Sequence, residues 1–154
     1  MKGIKEIFIG ADHRGFKLKA KIAGLLKRKG FKVVDVGTLS EEPCDYPLIA
    51  FKVGKEAAKS PSRRGILICK TGIGDAIAAN KVKGVRAALC YNLQAARLSR
   101  LHNDANVLVL GSDFVNEATA KKIISVWLKS EFEGGRHLRR INQIREFENV
   151  SQKN

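Results

Sequence analysis

Short apolar runs alternate with longer amphipathic segments along this chain. The runs are rich in β-branched and aliphatic residues, are bounded by glycine or polar positions, and fall at 4–10, 31–37, 65–69, 85–90 and 106–110. Runs of this length without polar alternation are typical of strands that are buried on both faces of a parallel sheet.

The segments between these runs carry apolar residues at helical spacing. Gly30 provides a stop signal after the first of them, 15–29. The remaining helices are expected at 48–59, 75–82, 92–101, 116–130 and, in the basic tail, 138–149. Strands that alternate with helices predict an α/β fold: a Rossmann-like three-layer sandwich in which a five-stranded parallel sheet carries helices on both faces.

In such a sheet, ligands bind beyond the carboxyl ends of the strands. Polar residues and glycines follow four of the predicted strands, and they are Asp12, His13, Asp45, Tyr46, Cys69 with the turn 70–74, and Gly111. His102 ends the helix before the fifth strand.

Length and composition favour one globular domain over residues 1–154, with 44% hydrophobic and 29% charged residues. No apolar stretch approaches the roughly 20 residues of a membrane span, and the start lacks the apolar region of a signal peptide. We therefore expect a cytoplasmic protein without a membrane partner. The 3 cysteines and 3 histidines are scattered without zinc-ligand spacing, which argues against a disulfide framework and a metal cofactor.

The net charge of +14 suggests nucleic-acid binding or an anionic small substrate. Much of the excess lies in 14–32, where basic residues form the solvated side of the first helix. Aromatic residues are few, at 6%, and no nucleic-acid-binding motif is present. An anionic small substrate is the better explanation, and no specific nucleic-acid partner is expected.

The segment 65–81 places a thiol, Cys69, at the end of a strand, followed by a Gly-rich turn and a helix. A helix N-terminus attracts anions and lowers the pKa of a thiol, so the segment could hold a reactive group and a charged intermediate. A tight turn with a buried structural cysteine is the alternative. A dinucleotide-binding turn is not expected, because Ile77 replaces its third glycine and the turn follows the third strand.

Three other polar segments each allow two readings. Asp12-His13 can orient an imidazole or cap the next helix, and the group around His102 can be chemical or a surface helix end. Residues 133–140 place two glycines before a basic cluster, which suits a phosphate clamp or a solvated helix start.

Taken together, five blocks closely resemble the ribose-5-phosphate isomerase B family, which also contains allose-6-phosphate and galactose-6-phosphate isomerases. The resemblance extends from residue 4 to about 148. The blocks are Gly10-Ala11-Asp12-His13-x-Gly15-Phe16-x-Leu18-Lys19, Asp45-Tyr46-Pro47, 66–81, Arg97-x-Ser99-Arg100-x-His102-Asn103-Asp104-Ala105-Asn106, and 132–141.

The resemblance implies aldose–ketose isomerisation of a phosphosugar through a cis-enediolate, with ribose 5-phosphate and ribulose 5-phosphate as the expected pair. It implies no cofactor and a homodimer, or a tetramer, whose sites are built from two subunits. The helical tail 138–154 is expected to contribute to the dimer.

Residue by residue, Cys69 matches the family's base and His102 its ring-opening acid/base. Thr71, Gly72 and Gly74 match the turn whose amides hold the enediolate oxygen. Sugar-binding positions are matched by Asp12, Tyr46 and Asn103, and phosphate ligands by His13, Arg136 and Arg140, the last two from the partner chain. The helix N-terminus and a neighbouring cation are expected to lower the pKa of the Cys69 thiol.

Three positions depart from the family's pattern. Lys70 stands where glycine is usual, Asp75 where an apolar or small residue is usual, and Asp113 where many members have a phosphate-binding arginine. Our hypothesis is that Lys70 compensates for Asp113 by binding phosphate or acidifying Cys69. The alternative is that both side chains point to solvent. Asp75 is a possible base, since one branch of the family lacks the cysteine and uses Glu here; Cys69 is favoured because Asp is shorter.

The sequence is also compatible with two other functions within the family. One is isomerisation of a six-carbon sugar phosphate, such as allose or galactose 6-phosphate. The other is sugar-phosphate binding without turnover, which the anionic Asp113 makes credible.

Overall fold

The computed structural model describes residues 3–150, which form five parallel strands and six helices. The strands are β1 Glu6–Ala11, β2 Lys32–Asp35, β3 Arg63–Cys69, β4 Ala87–Leu89 and β5 Val107–Gly111, in the order β2-β1-β3-β5-β4. The helices are α1 Phe16–Arg28, α2 Tyr46–Ala58, α3 Ile73–Ala79, α4 Leu93–Asn103, α5 Glu117–Lys129 and α6 Arg136–Val150. Within 3–150, no helix has the length and apolarity needed to cross a membrane.

Alternate residues of the central strand face the two helical layers. Ile66 and Ile68 of β3 pack into a core with α1, α4 and α5. The largest fully buried side chain of this core is Trp127. Leu67 points to the opposite face and packs against α2 and α3. Both faces of the sheet are therefore buried, which explains the apolar runs and confirms the predicted three-layer α/β fold.

The turn after β3 differs in detail from the prediction. α3 begins at Ile73, two residues before the predicted start, because Gly72 adopts a φ of +81° and reverses the chain at once. The helix ends early because the Asn80 side chain accepts from the Ala87 N–H at 2.8 Å and donates to the Ala87 carbonyl at 3.0 Å. The tail helix also starts early, at Arg136, and residues 151–154 of the predicted tail lie outside the described residues.

The candidate site residues lie beyond the two ends of the strands, which we call the carboxyl edge and the amino edge of the sheet. The carboxyl edge is where β1, β3 and β5 end, at Ala11, Cys69 and Gly111. The amino edge is where the strands begin, and it receives the end of α4 because a helix between two parallel strands runs back along the sheet. Asp104 closes α4 in the left-handed conformation, with a φ of +45°.

Ion pairs and a loop fix the end of α4 at the amino edge. The Asp104 carboxylate accepts from Arg100 at 2.7 Å and from Arg86 at 3.0 Å. The Leu101 carbonyl accepts from the Glu133 N–H at 3.1 Å, which ties the segment before α6 to this helix end. His102 and Asn103 are therefore held beside the first turn of α6.

Candidate active site

The turn after β3 forms the centre of the carboxyl edge. The Gly72 N–H donates to Cys69 Sγ at 3.1 Å, and the Ile73 N–H donates to Thr71 Oγ1 at 3.3 Å. A Cβ at Gly72 would lie 2.4 Å from Leu89 Cδ1, and its φ of +81° disfavours other residues. The turn thus requires glycine, and it directs an amide at the thiol.

Two tyrosines border this turn. Tyr46, at the start of α2, packs on Gly74 so closely that a Cβ there would lie 2.5 Å from the ring and 2.7 Å from its hydroxyl oxygen. The Tyr91 hydroxyl donates to the Thr71 carbonyl at 3.1 Å, and its ring meets Phe114 edge-on at 5.1 Å. Tyr91 was not predicted as a site residue, although it lies just beyond the carboxyl end of the fourth strand, in the way that the turn 70–74 follows the third.

The segment after β1 lies at the same edge. Asp12 is buried and its Oδ1 accepts from the N–H groups of Arg14 and Gly15, each at 3.0 Å, so this carboxylate caps the turn into α1. His13 Nδ1 accepts from the Cys44 N–H at 3.3 Å, which leaves Nε2 to carry the proton of the neutral ring.

The Cys69 thiol is more basic than expected. Burial raises the pKa of Cys69 to about 12, the negative charge of Asp75 adds to the effect, and the Gly72 N–H opposes it. The expectation of a lowered pKa is therefore wrong. Lys70, which was expected to acidify the thiol or bind phosphate, is half-exposed and pairs with Asp113 at 3.9 Å.

Asp75 lies beneath the turn. Its side chain is 1% exposed, and neither carboxylate oxygen has a hydrogen-bond partner among the described residues. Burial raises the pKa of Asp75 to about 7, while its interaction with the Cys69 thiol lowers it and the charge of Asp12 raises it further. A group that ionises near neutral pH therefore adjoins the thiol.

A second polar cluster occupies the amino edge. The imidazoles of His102 and His137 stack at 4.2 Å between ring centroids, with their planes 8° apart. The Nε2 atoms of His102 and His137 lie 3.8 and 3.9 Å from Glu133 Oε2. Burial, together with the charges of His102, Arg136 and Arg140, lowers the pKa of His137.

This cluster has donors for a metal ion, but not the geometry. His102, Glu133 and His137 bring three ligand atoms within 4.8 Å of one another, a donor set that zinc can use. Imidazole lone pairs lie in the ring planes, and these planes are nearly parallel, so the two nitrogens do not converge on one point.

The structure divides the predicted site residues into two sets. The paired part of β3 and β5 runs from Gly65–Val107 at the amino edge to Cys69–Gly111 at the carboxyl edge. These four residues separate the two edges by about 13 Å. The carboxyl-edge residues are Asp12, His13, Tyr46, Cys69, Lys70, Thr71, Gly72, Gly74 and Asp75, and the amino-edge residues are His102, Asn103, Arg136 and Arg140. His102 and Asn103 therefore do not join Cys69 within one chain, contrary to the expectation that only the two arginines come from elsewhere.

Comparisons with known proteins agree with this architecture. Residues 7–144 match a family model described as Ribose/Galactose Isomerase. The chain is 47% identical over 141 residues to ribose-5-phosphate isomerase B of Escherichia coli K12, covering 92% of this chain and 95% of that protein. It is 49% identical over 144 residues to a probable ribose-5-phosphate isomerase B of Mycoplasma genitalium, with 92% and 95% covered.

Solved structures give the same picture. The crystal structure of ribose-5-phosphate isomerase B from Mycoplasma genitalium, with bound ribulose-5-phosphate, has a TM-score of 0.90 and 48% identity, covering 94% of this chain and 96% of that one. Ribose-5-phosphate isomerase B of Clostridium thermocellum has a TM-score of 0.91 and 50% identity, with 95% and 99% covered. The family model and these relatives span nearly the whole chain, so the chain belongs to the ribose/galactose isomerase family.

Proposed function

We propose that this chain is a cytoplasmic isomerase that interconverts ribose 5-phosphate and ribulose 5-phosphate. The observation that carries the proposal is the overall similarity to a protein crystallised with ribulose-5-phosphate, at 48% identity and a TM-score of 0.90. The turn 69–74 supports it, because a thiol, an amide that donates to this thiol and two bordering tyrosines lie together at the carboxyl edge.

The working site combines two copies of the chain. One copy supplies the carboxyl edge, and a second copy supplies His102, Asn103, Arg136 and Arg140 from its amino edge. The separation of about 13 Å along the sheet supports this arrangement, since one copy cannot place both sets on a five-carbon sugar. The tail helix α6 contributes to the contact because Arg136 and Arg140 lie on it.

Each step of the reaction has a group of suitable chemistry. His102 opens the sugar ring, and Cys69 moves a proton between C2 and C1. The amides of Thr71, Gly72 and Gly74 stabilise the oxygen of the enediolate, because fixed donors favour charge that develops in the transition state. Asp12, Tyr46 and Asn103 bind hydroxyls, while His13, Arg136, Arg140 and Lys70 bind the phosphate.

Turnover on ribose 5-phosphate tests the proposal. We expect conversion to ribulose 5-phosphate, measured by absorbance of the ketose, and a loss of roughly 1000-fold in kcat for Cys69→Ala because the variant lacks the proposed base. Cys90→Ala is the matched control, since that buried thiol belongs to the core packed by α4 and α5.

Two results would contradict the proposal. Faster turnover of allose 6-phosphate or galactose 6-phosphate than of ribose 5-phosphate would assign a six-carbon substrate. Tight binding of ribose 5-phosphate in calorimetry with no turnover would mark a binding protein.

A further inference from the structure

The Cys69 thiol needs a proton acceptor if it is to work as a base. Its pKa of about 12 means that Sγ carries a proton at neutral pH, and a protonated thiol cannot accept the proton of a C–H bond. The Gly72 N–H stabilises negative charge on Sγ, yet it cannot take a proton from it. An acceptor for the Sγ proton must lie close by.

Asp75 is the group with free accepting capacity. It lies on the first turn of α3, is 1% exposed, and has no hydrogen-bond partner among residues 3–150 at either carboxylate oxygen. A buried carboxylate without donors is costly and is rare in folded proteins, so each such case calls for an explanation. Its polar neighbour is the Cys69 thiol, with which it interacts.

The other charged and titratable groups near this pair make their contacts elsewhere in this structure. Asp12 Oδ1 accepts two backbone N–H groups, and its charge raises the pKa of both Cys69 and Asp75. Lys70 pairs with Asp113 at the surface, and the Tyr91 hydroxyl donates to the Thr71 carbonyl. Tyr46 covers Gly74 from the side of α2.

We propose that Cys69 and Asp75 act as a relay pair, in which the Asp75 carboxylate accepts the Sγ proton while Sγ takes the proton from C2. This inference rests on the proposed function. The C2–H bond and the original S–H bond break, and a new S–H bond and an O–H bond on Asp75 form. The negative charge moves from the carboxylate to the enediolate oxygen.

The second half of the reaction restores the pair. Sγ gives its new proton to C1, the O2 hydroxyl proton moves to O1 as the C2 carbonyl forms, and Asp75 returns its proton to Sγ, so no proton is gained or lost overall. Thiol and carboxylate do not form a hydrogen bond of ordinary geometry in this structure, so the relay forms when that contact closes. Asp75 is thus a positioning residue that acts through Cys69 and sets the pH at which the thiol is active.

The pH dependence of kcat/KM on ribose 5-phosphate tests the relay. We expect the wild-type profile to fall below about pH 7, where Asp75 becomes protonated. Asp75→Asn has nearly the same volume but cannot accept the proton, so kcat should fall by roughly 100-fold or more with little change in KM, and the acid limb should vanish. Asp75→Glu restores the acceptor, and both activity and the limb should return in part.

A second measurement does not depend on turnover. The rate at which iodoacetamide modifies Cys69, followed on its own peptide by mass spectrometry, reports the pKa of that thiol. Removing the carboxylate charge in Asp75→Asn should lower this pKa and so shift the pH profile of alkylation at Cys69 to lower pH, and the rate at Cys44 serves as the internal control.

The outcomes separate this inference from the proposed function. If the wild type turns over and Asp75→Asn has the same pH profile, the relay is overturned but the proposed isomerase activity stands. The relay is also overturned if Cys69→Ala stays active and its activity still requires Asp75. No wild-type turnover overturns the proposed function. In that case an unshifted alkylation profile in Asp75→Asn overturns the pairing of Cys69 with Asp75, and a shifted one supports it.

Discussion

At the residue scale, the burial of the Asp75 carboxylate is unfavourable for its charged form and changes the pKa of this group. The Asp75 carboxylate is enclosed without a donor, in contrast to Asp12, whose oxygen accepts two backbone N–H groups a short distance away. Burial raises the pKa of Asp75 from 3.8 to about 7, so the folded protein holds a proton there that the unfolded chain has released. The stability of the fold must then depend on pH.

The sign of this dependence follows from the raised pKa. The contribution of Asp75 to the free energy of unfolding is fully present below about pH 4 and is lost as the pH rises to about 7. Asp75→Asn cannot ionise and so lacks this loss at high pH: at pH 8 the variant should be more stable than wild type, by on the order of 4 kcal/mol, and at pH 4 about equal. Urea unfolding at both pH values measures this. Equal stabilities at pH 8 would contradict the enclosure of a charged carboxylate.

At the element scale, the end of α4 determines where His102 and Asn103 lie. Asp104 holds a left-handed conformation and accepts from the buried Arg100 and from Arg86. The geometry of this helix end is thus set by charge pairing as well as by chain direction.

Asp104→Ala tests that role. It removes both ion pairs and keeps a side chain at positive φ, so we expect a loss of stability on the order of 2 to 4 kcal/mol and a lower kcat. Asp113→Ala breaks only the half-exposed pair with Lys70 and is expected to change stability by less than about 1 kcal/mol. Urea unfolding and turnover of both variants measure the difference, and similar losses in the two would rule out this account of α4.

Much of this architecture could be predicted from the chain itself. The apolar runs indicated both buried faces, and the strand-end rule found Asp12, Tyr46 and Cys69 because parallel strands end at one edge. The same rule applied to the fourth strand would have found Tyr91. The position of His102 was also accessible, since a crossover helix ends at the opposite edge from the strand before it.

The burial of Asp75 was not accessible from the sequence. An aspartate on the first turn of a helix is ordinarily a solvated residue at the N-terminus. Only the packing of α3 against α2 and the sheet encloses it, and the pKa values of Asp75 and Cys69 follow from that enclosure.

At the scale of the whole molecule, the proposed function predicts that two copies cooperate, because its residues lie in two polar clusters at opposite edges of the sheet. Mixing two inactive variants tests this. Cys69→Ala and His102→Ala should each be inactive, but a random mixture of their chains should recover about one quarter of wild-type activity, because half of the dimers are mixed and each has one intact site.

Refolding the two chains together and measuring turnover of ribose 5-phosphate would show this recovery. In the control, wild type is mixed with the double variant Cys69→Ala/His102→Ala, whose mixed dimers contain no fully intact site, so the activity of the mixture should fall from one half to about one quarter of wild type as the chains exchange. Recovery absent from the first mixture would contradict the shared site.

The separation of Cys69 from His102 along the sheet also has a kinetic consequence under the proposed function. A lone chain carries the two parts of the active site at opposite edges of its sheet, and neither part is complete by itself. Activity per chain therefore depends on the fraction of chains that are associated, and so on the protein concentration. On dilution below the dissociation constant of the assembly, specific activity should fall in proportion to concentration. Some substitutions far from either polar cluster would weaken the association of the two chains. At low protein concentration they would then lower activity as a catalytic defect does, and at high protein concentration this loss of activity would disappear.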